Sequence, residues 1–277
     1  MRLSRLFRLP LTIVAILAVA YIAFVLITRP KADRVWAKDH EIYAETAIAD
    51  STLTVKNLRD NEYSAGTGEI LVRYKDETYD LTTLKDVWFV SAPFPDLPRA
   101  SHTFLTFRFE DGRGLSVSVE ARRELGELYS IWLGMARQFE TYYVWGTERD
   151  LMSLRSVRRG EDIELYRLAV SAEEGRKLLA GIVQKSEETR LHPEFYNTIT
   201  HNCTTAIVES LDTTIDRAPG FDWRLLTLTD SPEMMRDAGL VTSNALPEAF
   251  EAQATISDRV REYAKDDAFS DLIREGF

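Results

Sequence analysis

The single cysteine is the residue of this chain best suited to nucleophilic chemistry. Cys203 lies in the stretch 196–208, which reads YNTITHNCTTAIV. The apolar residues that follow recur at helical spacing, so the sequence predicts a helix from Thr204 to Leu211 that starts at the cysteine. Unpaired N–H groups at a helix start favour a thiolate and make the sulfur a better nucleophile. Free cysteines are also common buried hydrophobes, so this stretch alone leaves both roles open.

A histidine and a glutamate lie on a predicted β-hairpin. The stretches 101–109 (SHTFLTFRF) and 115–121 (LSVSVEA) alternate in polarity and flank the turn sequence DGRG, whose glycines allow a tight turn. Aligning the apolar faces puts His102, Ser118 and Glu120 on the polar side, with His102 opposite Glu120 or one pair away. A nearby carboxylate orients an imidazole as a base. A solvated hairpin face would show the same pattern.

Four residues next to the cysteine could shape a site. His201 is a poorer base than His102, because a side chain two positions before the cysteine normally points away from the sulfur. Asn202 is expected to fix the backbone through a hydrogen bond. Tyr196 and Asn197 are expected to line the pocket, although core packing explains Tyr196 equally well.

The remaining histidines and the metal-ligand patterns add no further site. His40 and His192 have no carboxylate or thiol pattern around them in the sequence. His102 and Cys203 lack the short paired spacing of zinc ligands. The sequence therefore predicts neither a metal site nor a cofactor.

Charge excludes one large class of partners. The formal net charge is −10, and the first 28 residues contain three arginines and no acidic residue, so the rest of the chain is still more acidic. Such a body is a poor nucleic-acid binder, because phosphate contacts require a basic face. One cysteine cannot form an internal disulfide, so the fold does not depend on an oxidising compartment.

The N-terminal region predicts a membrane anchor. Residues 11–27 read LTIVAILAVAYIAFVLI, which contains no charge, and MRLSRLFRLP precedes them. We expect a short cytoplasmic tail (1–10), one transmembrane helix (11–27) and a body outside the cytoplasm. A cleaved signal peptide is the alternative, but no Ala-x-Ala-like site follows the apolar run.

Periodicity and turn residues predict a mixed α/β body. We expect a connector with a juxtamembrane helix (28–50, helix within 35–49), a catalytic domain (51–245) and a C-terminal helical extension (246–277). Expected strands are 51–58, 69–74, 139–145 and 163–170, besides the hairpin. Expected helices are 81–87, 122–138, 230–238, 258–275, and one capped by Ser171 that runs to Thr189.

Several separate motifs together resemble one family. SHTFLTFRFEDG, LSVSVEARRELGE, RQFETYYVWGTERDL and PEFYNTITHNCTTAI resemble the family named for the Lnb N-terminal periplasmic domain, over about residues 35–243. Lnb is similar to a lipoprotein N-acyltransferase, and its order of histidine before cysteine resembles circularly permuted papain-like (NlpC-like) enzymes. The resemblance implies an α+β fold, a nucleophile at Cys203 and a catalytic histidine at His102. The chain departs from Lnb in having one apolar segment and none of the later spanning helices.

Pattern and resemblance together predict a single-pass inner-membrane cysteine acyltransferase that faces the periplasm. Its substrates would be lipoprotein or phospholipid acyl groups. His102 would take the proton of Cys203, Glu120 would fix the imidazole tautomer, and an amine or water would resolve the acyl-enzyme. An apolar channel should then join the cysteine pocket to the face nearest residues 28–36. Two alternatives remain: a cell-wall cysteine peptidase or amidase, which needs an open polar groove, and a non-catalytic envelope binding module.

Overall fold

The structure is a computed structural model that describes residues 5–31, 34–66, 68–97, 99–215, 219–241 and 249–277. The strands are β1 (Glu45–Ala49), β2 (Thr52–Arg59), β3 (Glu62–Tyr63), β4 (Ile70–Leu71), β5 (Tyr74–Asp80), β6 (Leu84–Pro93), β7 (Ser101–Phe109), β8 (Gly114–Arg122), β9 (Glu140–Thr147) and β10 (Glu164–Arg167). The helices are α1 (Arg5–Ile27), α2 (Ile131–Met135), α3 (Glu148–Ser153), α4 (Ala172–Leu191), α5 (Cys203–Asp212), α6 (Arg224–Thr227), α7 (Ser231–Asp237), α8 (Phe250–Ala254), α9 (Ser257–Tyr263) and α10 (Phe269–Leu272).

One mixed sheet organises the domain. Its strand order is β1-β2-β9-β8-β7-β6-β10, and β5 pairs with β2 in addition. The β2–β9 contact is parallel and consists of one residue pair, Arg59 and Gly146, whereas the other pairings are antiparallel. The α+β class is therefore confirmed. The papain-like relation is not shown by this topology and stays a prediction.

Both faces of the sheet are covered. On one face, apolar residues of α4, α5 and α7 form one cluster with alternate residues of the hairpin, such as Leu105, Phe107 and Val117. On the other face, α3, α9 and α10 enclose a second apolar cluster that includes Phe104 and Tyr142. Because α5 contacts both β7 and β8, the predicted packing of the cysteine-bearing helix on the hairpin is confirmed.

The predicted hairpin is present, but its polar face is not solvated. β7 is buried along its whole length. Thr106 donates to Glu148 (2.9 Å), and Glu148 in turn forms a buried ion pair with Arg274. Polar groups can be buried in a folded protein when hydrogen-bond partners of this kind satisfy them. The solvated-face alternative is therefore wrong.

Three predicted helices are corrected. No helix covers 35–49, because Glu45–Ala49 forms strand β1 and Trp36 bridges to Glu124. The long helix expected over 122–138 is reduced to α2, since Arg122 extends β8 and pairs with β9. The helix expected over 81–87 is a single 3₁₀ turn that leads into β6. In each case pairing in the sheet overrides the local helical periodicity.

Smaller corrections concern one strand and the C-terminal helices. The strand expected over 69–74 is the two-residue β4, and the longer neighbouring strand is β5. The helix expected over 258–275 is two short helices, α9 and α10. The C-terminal region also joins the main sheet, since Glu164 bridges to Thr255. The predicted boundary between residues 245 and 246 lies outside the described residues.

The N-terminal apolar run forms α1. Its apolar side chains from Leu11 to Phe24 are exposed, and the Tyr21 hydroxyl donates to the Met135 carbonyl at 3.2 Å. Among the described residues, no helix is both long enough and apolar enough to cross a membrane. The predicted transmembrane anchor over 11–27 stays unconfirmed, and residues 1–4 of the predicted tail lie outside the described part of the chain.

Candidate active site

Cys203 is the first residue of α5, and a capping box fixes its position. The Asn202 side-chain oxygen accepts the N–H groups of Thr204 (3.0 Å) and Thr205 (2.9 Å), and the Thr205 hydroxyl accepts the Asn202 N–H. The Asn202 amide also donates to the Leu225 carbonyl at 3.2 Å. Asn202 therefore fixes the backbone, as predicted, and orients the start of the helix.

The cap leaves the cysteine's own N–H without a partner inside the helix. The first four N–H groups of an α-helix have no intrahelical acceptor, and Asn202 satisfies only those of Thr204 and Thr205. The N–H of Cys203 is consequently a donor beside its own sulfur. A donor in that position is suited to an oxyanion that forms on an atom bonded to the sulfur.

His102, Ser118 and Glu120 form a hydrogen-bonded chain across the hairpin. His102 Nε2 lies 2.8 Å from Ser118 Oγ and 3.7 Å from Glu120 Oε1. The Ser118 hydroxyl donates to Glu120 Oε1 at 3.3 Å. The sequence thus correctly placed these three residues on one side of the hairpin. It did not predict that the serine would lie between the histidine and the carboxylate.

Electrostatic interactions determine which atoms of the hydrogen-bonded chain carry protons. Burial opposes ionisation of Glu120, but the Arg155 guanidinium, which donates to it at 3.4 Å, helps to hold the pKa of Glu120 well below its usual range. Burial first, and Arg155 second, also lowers the pKa of His102 well below its usual range. Glu120 is therefore a carboxylate and His102 a neutral imidazole at neutral pH.

The tautomer of His102 follows from these charges. A carboxylate only accepts hydrogen bonds, so Ser118 must donate its proton to Glu120. The Ser118 oxygen then accepts the proton on His102 Nε2. Nδ1 of the neutral ring consequently keeps its lone pair, which is the state required of a base.

The hydrogen-bonded chain and the cysteine border the same cavity. A cavity of about 370 Å³ is bordered by Cys203, His102, Glu120 and Tyr196, among others. A hydrogen bond between the hydroxyls of Thr103 and Thr204 (3.0 Å) joins the residues that follow the histidine and the cysteine. Within the described residues, the sulfur contacts Thr204 Oγ1 at 3.9 Å and makes no hydrogen bond to His102. Catalytic hydrogen bonds in ligand-free sites are often long and tighten when substrate binds.

The other predicted site residues divide into two groups. Tyr196 borders the cavity, where burial and then the neighbouring sulfur raise the pKa of its hydroxyl far above the usual range, so it stays a proton donor. His201 instead pairs with Glu194 at 3.1 Å. Asn197 accepts the N–H groups of Ile199 and Thr200 in a local turn and does not border the cavity.

His40 is a site residue that sequence analysis missed. It is almost fully buried, and its Nε2 lies 3.8 Å from Glu120 Oε2, on the side opposite His102. The Arg123 N–H donates to His40 Nδ1 at 3.0 Å, so the proton of the neutral ring is on Nε2 and faces the carboxylate. His40 lies 80 positions before Glu120 in the chain, and local spacing gives no signal of such a contact.

Arg155 was missed for a different reason. It lies on a π-helical turn (Leu154–Arg158) that continues α3, and its guanidinium contacts both Glu120 and Glu161. The sequence gives Arg155 as one of four arginines between 149 and 159, so nothing local distinguishes it. Single π turns are frequent at functional sites.

The cysteine–histidine cavity adjoins a larger, mainly apolar groove. The groove has a volume of about 1120 Å³ and shares Phe94, Tyr129, Arg159, Glu161 and Leu228 with the cavity. Apolar residues of four segments border it elsewhere: Leu97, Ile131, Trp132, Met135, Ile199 and Leu226. Pockets of roughly 300–1,000 Å³ with apolar walls are typical small-molecule sites. No group of three or more potential metal ligands converges within the described ranges.

These features define an α+β domain with a buried cysteine–histidine site next to an apolar groove. The sequence model of the Lnb N-terminal periplasmic domain matches residues 71–229, which is more than half of the chain, and the chain belongs to this family. The match includes every residue of the site except His40, and it relates the chain to periplasmic proteins of the bacterial envelope. No curated protein and no solved structure matches the chain significantly.

Proposed function

We propose that the protein is a thiol-dependent acyltransferase of the bacterial envelope that transfers acyl groups of phospholipid or lipoprotein. One observation carries the proposal: the cavity shared by Cys203 and His102 continues into an apolar groove large enough for an acyl chain. The apolar helix α1 would hold the protein at the inner membrane as a single-pass anchor, with the domain on the periplasmic side.

The first half-reaction forms a thioester. Nδ1 of His102 accepts the thiol proton while Sγ of Cys203 attacks the carbonyl carbon of an ester. The N–H of Cys203 and the hydroxyl of Tyr196 stabilise the oxyanion. The C–O bond of the ester then breaks, and the alcohol leaves with the proton held by His102. Ser118 and Glu120 keep the imidazole in the required tautomer throughout.

The second half-reaction releases the acyl group. An amine attacks the thioester carbonyl, the C–S bond breaks, and the sulfur regains a proton through His102. The apolar walls of the groove favour the amine product because they limit the access of water to the thioester. If water resolves the thioester instead, the same site acts as a lipase.

The nature of the groove favours acyl transfer over cell-wall hydrolysis. A peptidase or amidase that acts on peptidoglycan needs a polar groove above the nucleophile, whereas the residues that border this groove are mainly apolar. A chain held in the groove also avoids water, whose contact costs roughly 0.8 kcal/mol for each CH₂ group. The cell-wall enzyme is therefore the less supported function.

A non-catalytic binding module is the second candidate. Cys203 is only 2% exposed, and its sulfur makes no hydrogen bond to His102 among the described residues. Both observations fit a site that binds a ligand without reacting. Reactivity of the thiol decides between the two functions.

Trapping the acyl-enzyme tests the proposal. The full-length protein is incubated in vesicles with phospholipid that carries a labelled acyl chain, then denatured, and a hydroxylamine-sensitive label on the protein is measured. We expect label on the wild type, none on Cys203→Ala, and a strong reduction in both His102→Ala and His102→Gln. His201→Ala is the matched control, because His201 pairs with Glu194 outside the cavity.

Each outcome separates the candidates. Thermal unfolding first confirms that every variant is folded. Label that persists in Cys203→Ala would refute the acyl-enzyme. A folded wild type that stays unlabelled with phospholipid and lipoprotein, yet binds them, would favour the binding module. Cleavage of peptidoglycan fragments without acyl label would favour the cell-wall enzyme.

A further inference from the structure

Large apolar side chains are exposed on the segments that form the mouth of the groove. On the side of α2, Trp132 is 77% exposed and Leu128 is 81% exposed. On the side of α6, Phe221 is 82% exposed and Trp223 is 60% exposed, just before Leu226, which borders the groove. Together these four side chains form a rim. Exposed apolar clusters next to a binding groove mark interaction surfaces rather than ordinary protein surface.

Helix α1 contacts the end of α2, next to the rim. The Tyr21 hydroxyl donates to the Met135 carbonyl at the end of α2 (3.2 Å), and Met135 itself borders the groove. The apolar side chains of α1 are exposed along its described length, from Leu11 at 69% to Phe24 at 43%. The apolar surface of α1 is therefore continuous with the mouth of the groove.

We propose that the rim inserts into the surface of a lipid bilayer, so that the groove opens directly onto lipid. This docking surface goes beyond the proposed acyl transfer. It rests on that function in one respect, because the acyl chain that enters the groove is taken to be the group that is transferred. Seated in this way, the site receives a chain from the membrane without exposing it to water.

A bilayer fits these features better than a folded partner does. Tryptophan is enriched where protein meets the membrane–water interface, because its ring is apolar and its indole N–H is polar. Trp132 and Trp223 lie on separate segments that carry neighbours of the groove. The surface of α1 also extends the rim with a run, residues 11–27, that carries no charge.

Charge predicts how the contact would be driven. The body of the protein is strongly acidic, and an anionic membrane surface would repel it. Binding of the rim must therefore come from apolar insertion. We expect the contact to form on neutral phosphatidylcholine and to change little between low and high salt, since screening acts mainly on charge–charge attraction.

Quenching by brominated lipid tests insertion independently of catalysis. Full-length Cys203→Ala is reconstituted in phosphatidylcholine vesicles with and without lipid that is brominated near the head group. The lipid-quenched fraction of tryptophan fluorescence should fall in Trp132→Phe and in Trp223→Phe, and should fall furthest in the double variant. Trp88→Phe is the control, because Trp88 is 4% exposed inside the domain, and its removal should leave lipid quenching intact.

The failure of this test is distinct from failure of the proposed function. If the double variant retains the wild-type quenching, the rim does not touch lipid, whatever the protein catalyses. Absence of lipid quenching in the Cys203→Ala parent, together with dimerisation that Trp132→Ser abolishes, would assign the rim to a second copy of the chain. Either result overturns the proposal.

Activity provides the second readout. Trp132→Ser and Trp223→Ser should each lower turnover of vesicle phospholipid by about tenfold, the loss expected when one large apolar side chain is no longer buried. In Trp223→Ser, whose side chain does not border the groove, turnover of a water-soluble short-chain ester should be unchanged. Leu191→Ser is the matched control, since Leu191 is 62% exposed and does not border the groove. An equal loss in that control, or an equal loss of Trp223→Ser on the soluble ester, would contradict membrane docking.

Discussion

Replacing Ser118 by alanine tests the hydrogen-bonded chain at its central atom. The Ser118 hydroxyl lies between His102 Nε2 (2.8 Å) and Glu120 Oε1 (3.3 Å). Without it, the imidazole loses the acceptor that fixes its tautomer, and a buried N–H is left unpaired. The proton can then occupy Nδ1, where it blocks the lone pair that must accept the thiol proton.

The magnitude follows from the cost of an unpaired buried group. A buried donor without a partner costs about 1–3 kcal/mol, and about 1.36 kcal/mol corresponds to tenfold in rate. The 3.7 Å separation of His102 Nε2 and Glu120 Oε1 is too long for the carboxylate to replace the serine directly. We therefore expect Ser118→Ala to lower kcat by about 10- to 100-fold with little change in KM.

Ser116→Ala is the matched control. Ser116 is a buried serine on the same strand, two residues away, and its hydroxyl has no hydrogen-bond partner among the described residues. Its removal leaves no group unpaired, so activity should stay close to wild type. The assay is steady-state acyl transfer from phospholipid, with thermal unfolding of each variant. Equal losses in Ser116→Ala and Ser118→Ala, or full activity of Ser118→Ala, would refute the proposed role of the chain.

Three further predictions concern charge. Arg155→Gln removes a charge that disfavours protonation of His102, so the acidic limb of the kcat/KM profile should move to higher pH; an unchanged limb would contradict this. Burial lowers the pKa of His40 to about 4, so the free energy of unfolding of the wild type falls as the pH drops from about 6.5 to about 4. In urea unfolding, His40→Gln should show a fall over that range that is smaller than the wild-type fall by on the order of 3 kcal/mol. Asp150→Asn, which leaves buried Arg59 unpaired, should cost about 3–5 kcal/mol in the same assay. Arg73→Ala, from an exposed ion pair, should cost less than about 1 kcal/mol.

Local patterns predicted the elements that carry the chemistry. Two alternating stretches around DGRG specified the hairpin, and the helical spacing after Cys203 specified α5. Ser171 caps α4 as predicted, and Glu174 completes a capping box there. In these segments the signal depends on neighbours within a few positions, which a sequence contains directly.

Local patterns could not predict contacts between residues that lie far apart in the sequence. Arg122 belongs to a strand because Glu140 pairs with it, although the following residues have a helical period. The polar side of the hairpin faces the interior, where Glu148 of α3 accepts a hydrogen bond from Thr106 and is itself paired with Arg274 of the C-terminal region. His40 reaches the site for the same reason. The partner in each case is remote in sequence, so its identity appears only once the sheet is assembled.

The π-helical turn after α3 gives the site an unusual sensitivity to chain length. Arg155, on this turn, contacts both Glu120 and Glu161. Each residue of a helix advances by about 100° around the axis, so deleting one residue from the turn would restore a regular helix and rotate the guanidinium away from the carboxylates. Such a deletion would change the protonation of the histidine without replacing any side chain that borders the cavity. In this protein, the acidity of the site therefore depends on the length of one turn as well as on the side chains that border the cavity.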